Sequence, residues 1–131
     1  MLVFVYGTLL QGFRNHDFFL NGKSPKCIDS IRGRIYTYNG MFPYLIITNN
    51  PIDIVKGEVY EIDEKILEHL DYLEGYNPKS DYSHYIRKEV LTLEHKLKVF
   101  VYELADQFKV KNKSIRIHSG DWKSITEMMS K

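Results

Sequence analysis

The sequence predicts an α+β fold with a strongly curved or barrel-like sheet. Short β-rich runs outnumber the helical segments and do not alternate with them, as they would in a doubly wound parallel sheet. One clear amphipathic helix lies at mid-chain. The chain has 131 residues, of which 44% are hydrophobic, and no linker or repeat divides it. We therefore expect residues 1–131 to form a single domain.

The predicted strands are short runs rich in β-branched, aromatic and aliphatic residues. The turn residues Asn39-Gly40 and Asn49-Asn50-Pro51 separate some of them. A short connection joins the last two runs, which is typical of a β-hairpin. In chain order the predicted strands are residues 3–6, 34–38, 44–48, 55–62, 85–93 and 97–102.

The main helix follows the fourth predicted strand. Asp63 can cap its first turn, and Gly75 can end it. Between these two residues, an apolar stripe at helical spacing is formed by Ile66, Leu67, Leu70 and Leu73.

Two further short helices are expected, one before the second predicted strand and one after the last. Asn15 can cap one that contains residues 18–20 and ends at Asn21-Gly22. The other can open at residues 119–121 and run through Met129.

Glu74, at the end of the main helix, is the candidate catalytic residue. It lies four positions after Leu70 and seven after Leu67, so its side chain is expected beside the apolar stripe. Burial raises the pKa of a carboxyl group, and the negative end of the helix dipole acts in the same direction. Both effects would prepare Glu74 for proton transfer near neutral pH. The alternative is that the last helical turn frays and the carboxylate is hydrated.

A turn follows the first predicted strand, at Tyr6-Gly7-Thr8-Leu9. Gly7 would let the backbone turn sharply, or let a ligand approach it closely. Successive backbone N–H groups in such a turn can bind an anion without a lysine. An ordinary connection from a strand to a helix is the other interpretation of this pattern.

The composition argues against several classes of function. The 18 Lys and Arg residues balance 17 Asp and Glu and are scattered along the chain, so no nucleic-acid partner is expected. The apolar run at residues 2–6 is too short to span a membrane and is typical of a buried strand.

The lone Cys27 fits a reducing compartment, and we expect a cytoplasmic protein. The five histidines have no paired spacing and no nucleotide-binding loop is present, so neither a metal nor a cofactor is expected.

The order of several short motifs resembles the γ-glutamylcyclotransferase-like (AIG2-like) superfamily. In chain order the motifs are residues 3–9, Gly12, Asn15-His16, residues 57–60, residues 70–76, residues 85–87 and residues 99–102. The compact layout, with a strand that starts at the second residue, is most similar to the γ-glutamylamine cyclotransferase branch. The segment from Phe108 onward is the part least covered by the resemblance.

The resemblance implies a small mixed β-barrel with one main helix and short flanking helices. It implies cyclisation of the γ-glutamyl group of a γ-glutamyl amine or amino acid to 5-oxoproline, with release of the amine. Glu74 matches the catalytic glutamate of the family. The backbone around Tyr6, Gly7, Thr8 and Leu9 matches the segment that holds the glutamyl group. Positions that line or support the pocket are matched, in addition, by Tyr85, Arg87 and Tyr102.

Two questions stay open at the level of the sequence. The same barrel can serve as a non-catalytic module that binds small molecules or regulates another protein, because a fold does not guarantee an activity. The leaving amine can be an amino acid, a lysine ε-amine, a polyamine or part of a biosynthetic intermediate.

Overall fold

Seven strands and two helices make up the part of the chain that the computed structural model describes, namely residues 1–38, 40–80, 83–105 and 114–124. The strands are β1 (Leu2–Val5), β2 (Cys27–Thr37), β3 (Pro43–Ile47), β4 (Ile54–Glu61), β5 (Tyr85–Leu91), β6 (Lys98–Leu104) and β7 (Ile115–Arg116). The helices are α1 (Arg14–Phe19) and α2 (Glu64–Leu73). Each predicted strand overlaps an observed one, and β7 is an addition that the sequence pattern did not indicate.

The strands form one curled sheet in the order β3-β2-β4-β1-β6-β5, with β7 paired to the end of β2. The pair β1–β6 is parallel and the other pairs are antiparallel, so the sheet is mixed. β2 pairs with β4 through residues 27–32 and with β3 through residues 33–37. β3 then lies against β6, where the Ile47 N–H donates to Glu103 Oε2 at 2.8 Å. This half-barrel confirms the predicted α+β class and the curvature of the sheet.

β1 is the central strand of the core, with β4 on one side and β6 on the other. Its residues Val3, Phe4 and Val5 are at most 3% exposed. Burying a large apolar side chain contributes about 1.5–3 kcal/mol, so β1 is a major source of stability. The apolar run at the start of the sequence is therefore a buried strand, as predicted.

No helix among the described residues combines the length and the apolar character that crossing a membrane requires.

The predicted boundaries of the main helix are confirmed. The Asp63 carboxylate accepts a hydrogen bond from the Ile66 N–H at 2.8 Å, which caps the first turn. Gly75 follows the last turn with a φ of 65°, the left-handed conformation that favours glycine after a helix. Leu70 is fully buried and anchors the apolar stripe of α2 against the sheet.

The start of β2 differs from its prediction. β2 begins at Cys27, whereas the sequence pattern indicated a strand only from residue 34. The polar residue Asp29 interrupts the apolar pattern there, yet it is only 2% exposed. Its carboxylate accepts hydrogen bonds from the N–H groups of Glu94 and His95 at 2.9 and 3.0 Å, which offset the cost of burying it. The pairing depends on a loop far away in the sequence, so no local pattern could reveal it.

The first short helix also differs from its prediction. The N-cap of α1 is Phe13, without a side-chain hydrogen bond, and the predicted cap Asn15 lies inside the helix. The Asn15 amide instead donates to Thr8 Oγ1 at 2.9 Å. The described residues end at Ser124, so residues 125–129 of the helix predicted to run through Met129 lie outside them.

We expect Gly57→Ala to destabilise the protein by about 2–3 kcal/mol, because β4 and β1 approach each other too closely for a side chain. A Cβ at Gly57 would clash with the Val5 carbonyl oxygen and lie 2.5 Å from Phe4 Cζ. Urea unfolding would measure the loss. Lys56→Ala, which removes an exposed side chain from the same strand, should stay within about 0.5 kcal/mol of the parent. Equal stability of the two variants would contradict this account of the β1–β4 contact.

Candidate active site

A cleft of about 1200 Å³ opens where β1 ends, between the segment that contains α1, the start of β3 and the end of α2. Its inner wall includes Tyr6, Leu9, Tyr85 and Tyr102, each at most 8% exposed. Glu74 lies in the same wall. The turn residues Gly7 and Thr8 line the cleft as well, so the structure brings seven of the eight predicted site residues into one cavity.

The last turn of α2 holds Glu74 in place. The Glu74 N–H donates to the Leu70 carbonyl oxygen at 2.9 Å, so the helix extends to this residue without fraying. Its side chain is half-buried and lines the cleft. The last turn of the helix is therefore not frayed, in contrast to the alternative that the sequence left open.

Burial raises the pKa of Glu74 to about 7. Among the residues that the structure describes, no cation pairs with this carboxylate and no group donates a hydrogen bond to it. The fully buried carboxylates of the described residues are different, because Asp29, Asp53, Glu58 and Glu103 are each ion-paired or hydrogen-bonded. Glu74 therefore differs from these four carboxylates: it is half-buried, its charge is desolvated, and no described group pairs with it.

The phenols near Glu74 stay protonated. Burial raises the pKa of Tyr6 and Tyr85, and a negative charge on Glu74 adds to the effect. The Tyr6 hydroxyl donates to the Tyr102 carbonyl oxygen at 2.7 Å, whereas the Tyr85 hydroxyl makes only a long 3.4 Å contact with the Pro43 carbonyl oxygen. Of these two hydroxyls, that of Tyr85 is held more weakly and can turn towards a ligand.

The turn after β1 lines the cleft and contains unpaired backbone donors. The Leu10 N–H donates to the Gly7 carbonyl oxygen at 3.0 Å and closes the turn. The N–H groups of Thr8 and Leu9 have no acceptor among the described residues, and both residues line the cavity. Two adjacent free N–H groups of this kind can bind a carboxylate.

Gly7 has a structural role that the sequence did not indicate. Its φ is not in the left-handed region, so the turn itself does not require glycine. A Cβ at this position would lie 2.6 Å from Pro43 Cγ. Glycine is therefore needed because the first residue of β3 packs directly on the turn.

A buried polar network behind the turn was not predicted. His16 is 2% exposed, and its Nδ1 donates to the Leu9 carbonyl oxygen at 3.1 Å. Glu58 accepts hydrogen bonds from the Gln11 N–H at 2.8 Å and from the Tyr60 hydroxyl at 2.9 Å. Both residues occur in motifs that support the family resemblance, but nothing in their local pattern assigned them a role. Neither residue lines the cleft, and their hydrogen bonds to Leu9 and Gln11 hold the turn in place.

The structure does not bring Arg87 to the cleft wall. Its guanidinium forms an ion pair with Asp71 at 2.5 Å and lies over the rings of Tyr76 and Phe100. Asp71 also accepts a hydrogen bond from the Tyr102 hydroxyl at 2.6 Å. Arg87 thus supports the position of Tyr102 through Asp71 and does not face the cavity.

One cluster of possible metal ligands lies outside the cleft. The ligand atoms of Cys27, Asp29 and His95 are all within 4.8 Å of one another. The spacing of these residues did not indicate such a cluster, because His95 follows Asp29 by 66 positions. The Asp29 oxygens already accept bonds from the N–H groups of Ser30, Glu94 and His95 and from His95 Nδ1. This carboxylate therefore serves to close the loop between β5 and β6.

We expect the raised pKa of Glu74 to make the protein less stable as the pH rises. In the unfolded chain this group loses its proton near pH 4.5, and in the folded protein near pH 7. Between pH 4.5 and about pH 7 the folded protein holds a proton that the unfolded chain has released. The free energy of unfolding therefore falls as the pH rises across this range. Unfolding in urea measures the effect. Glu74 should make the free energy of unfolding about 1–2 kcal/mol lower at pH 8 than at pH 5, after allowance for screening by the open cleft.

Glu74→Gln should abolish that part of the pH dependence, since glutamine does not titrate. Glu68→Gln, an exposed position on the same helix, should retain it. An identical pH dependence in both variants would show that Glu74 titrates normally.

Comparison with known proteins covers almost the whole chain. The sequence model of a family described as "Gamma-glutamyl cyclotransferase, AIG2-like" matches residues 3–124. A protein of Methanocaldococcus jannaschii, provisionally named a gamma-glutamylcyclotransferase, is 35% identical over 124 residues, which cover 92% of this chain and 94% of that protein. The gamma-glutamylaminecyclotransferase of Homo sapiens is 35% identical over 81 residues, which cover 56% of this chain and 53% of the human protein.

The fold agrees with these sequence matches. A crystal structure of an uncharacterised protein from Pyrococcus horikoshii superposes with a TM-score of 0.75 at 29% identity. The superposition covers 99% of this chain and 96% of that protein. Sequence and fold together show that this chain belongs to the gamma-glutamyl cyclotransferase, AIG2-like family.

Proposed function

We propose that this protein cyclises the γ-glutamyl group of a γ-glutamyl amine or amino acid to 5-oxoproline and releases the amine, with Glu74 as general acid/base. The observation that carries the proposal is the state of Glu74, a desolvated carboxyl group with a pKa of about 7 and no cation among the described residues. A general base is most effective when its pKa lies near the working pH. Membership of the family supports the same conclusion.

In the proposed reaction the substrate supplies both the nucleophile and the electrophile. The Glu74 carboxylate removes a proton from the α-ammonium group of the substrate, and the amine attacks the γ-carbonyl carbon to close a five-membered ring. The ring nitrogen then gives up a second proton as the bond from that carbon to the leaving nitrogen breaks. The departing amine takes up two protons, one of them returned by Glu74, and leaves as an ammonium ion. No water is consumed, so the main task of the protein is to hold the substrate in the geometry that favours ring closure.

The other predicted residues bind and position the glutamyl group in this proposal. The free N–H groups of Thr8 and Leu9 are suited to its α-carboxylate, since they are adjacent and line the cleft. The weakly held Tyr85 hydroxyl is suited to the oxyanion that forms at the γ-carbonyl. Tyr102 forms part of the pocket wall, and Arg87 acts as a positioning residue through Asp71.

We expect Glu74→Gln to reduce turnover of a γ-glutamyl amide at least about a hundredfold, because glutamine cannot accept or return the proton. Release of 5-oxoproline measured by liquid chromatography would test this, with circular dichroism as the check on folding. Glu68→Gln, on the exposed face of α2, should keep the parent rate. Parent-like turnover by folded Glu74→Gln would remove the catalytic assignment. Clear binding by the parent protein without any turnover would favour the non-catalytic module.

Changes to the substrate test whether its α-amine is the nucleophile. A γ-glutamyl amide with a free α-amine should give 5-oxoproline and one equivalent of amine. The same compound with an acetylated α-amine should be inert, because its attacking lone pair is lost and no protein side chain replaces it. An α-linked glutamyl amide should also be inert, because its amine cannot close a five-membered ring on that carbonyl.

Mass spectrometry of the products distinguishes cyclisation from hydrolysis. A hydrolase would release free glutamate and would not need the α-amine. Free glutamate as the product, or turnover of the acetylated compound, would contradict the proposed reaction.

A further inference from the structure

His16 is a buried polar residue that the proposed reaction does not use. It belongs to α1, is 2% exposed and does not line the cleft. Its Nδ1 bonds to the Leu9 carbonyl oxygen at 3.1 Å, and because a carbonyl oxygen only accepts, Nδ1 carries the hydrogen. The other ring nitrogen, Nε2, is buried without a hydrogen-bond partner among the described residues.

The unpartnered Nε2 makes histidine a costly residue at this position. A buried polar atom that loses water without gaining a partner destabilises the folded state. A hydrocarbon side chain could pack against Tyr60, whose ring centroid lies 5.4 Å from that of the imidazole, without this cost. What the imidazole adds is its hydrogen bond to Leu9. Residues that lower stability for the sake of one bond are typical of functional sites.

The bond to Leu9 controls the orientation of more than one peptide group. The peptide group that contains the Leu9 carbonyl also contains the Leu10 N–H, and the two move together because the group is planar. This N–H donates to the Gly7 carbonyl oxygen at 3.0 Å, which in turn shares its peptide plane with the Thr8 N–H. The Leu9 N–H belongs to the peptide group between these two planes. Both free N–H groups of the turn therefore depend on the bond from His16.

Two other side chains near the turn bond to different groups. The Asn15 amide donates to the Thr8 hydroxyl at 2.9 Å, and the Glu58 carboxylate accepts from the Gln11 N–H at 2.8 Å. Neither bond reaches the backbone of residues 7–10, whereas the bond from His16 does. His16 therefore has the more direct hold on the free N–H groups.

We propose that His16 is a positioning residue, which aims the N–H groups of Thr8 and Leu9 at the α-carboxylate of the glutamyl group. This inference rests on the proposed function. Because His16 does not line the cleft, it acts on the substrate through the backbone of the turn. The α-carboxylate takes no part in the bonds that form and break, so it is held equally before and during ring closure. Loss of the bond from His16 should therefore raise KM more than it lowers kcat.

Two variants of His16 separate positioning from packing. His16→Leu removes the donor and should raise KM for γ-glutamyl-butylamine about tenfold, with kcat within about threefold of the parent. His16→Asn keeps a side-chain N–H close to the position of Nδ1 and should stay within about threefold of the parent KM. In urea unfolding the order should be the reverse, because the smaller asparagine leaves a cavity and a second polar atom unpartnered, whereas leucine does neither.

A substrate without the α-carboxylate locates the effect on the ligand. 4-Aminobutanoyl-butylamine has the same nucleophile and the same amide as γ-glutamyl-butylamine, and it closes to 2-pyrrolidone. His16→Leu should lower kcat/KM about tenfold for the γ-glutamyl compound and less than about twofold for this analogue. Val99→Ala, which removes buried methyl groups from β6 outside the cleft, is the control for lost stability. It should leave the ratio between the two substrates unchanged.

The outcomes separate this inference from the proposed function. If no γ-glutamyl compound yields 5-oxoproline, the proposed function fails. If 5-oxoproline forms but His16→Leu slows both substrates by the same factor, the function stands and the inference is overturned. The inference is also overturned if His16→Asn raises KM as much as His16→Leu, since the N–H donor would then not be what the turn requires.

Discussion

Hydrogen bonding of β1 on both of its edges positions every part of the cleft. The strand leads directly into the turn at residues 7–10, where the free N–H groups lie. β6 runs parallel to β1, so its later residues lie beside the end of β1, and Tyr6 contacts the Tyr102 backbone there. β4 pairs with the other edge, and its residue Glu58 bonds to the Gln11 N–H just after the turn. The chain then continues into α2, whose C-cap is Glu74. A shift of β1 would therefore disturb the donors, the tyrosines and the carboxyl group together.

The surroundings of Glu74 differ from those of the paired carboxyl groups of the protein. Asp53, with 0% exposure, is paired with both Arg34 and Arg116, and such pairing offsets the cost of removing its charge from water. Glu74 lies at a helix C-terminus, where the dipole disfavours a negative charge, and the described residues offer it no cation. The proton is retained because the surroundings do not stabilise the anion. The raised pKa costs stability at high pH. It is also what a group needs in order to transfer protons near neutral pH.

The sequence predicted those features that depend on neighbours a few residues apart. The cap at Asp63, the end at Gly75 and the inward direction of Glu74 all follow from helical periodicity and local hydrogen bonds. Features that depend on distant partners were missed or misplaced. The strand around Asp29 relies on a loop more than sixty positions away. For Arg87 the sequence left open whether it lines or supports the pocket, and that question depends on its ion pair with Asp71. Periodicity contains no information on such pairings, so only the folded chain reveals them.

The central position of β1 also has a consequence for how the chain folds. Val3 pairs with Tyr60 on one edge and with Phe100 on the other, so its partners are far along the sequence. Contacts between distant residues require large loops to close first, which slows folding. During synthesis, the strand is made long before β6 and must stay unpaired on that edge until most of the chain has left the ribosome. Among the described strands, β1 thus waits longest for its second partner, and its apolar side chains are exposed to aggregation during that interval.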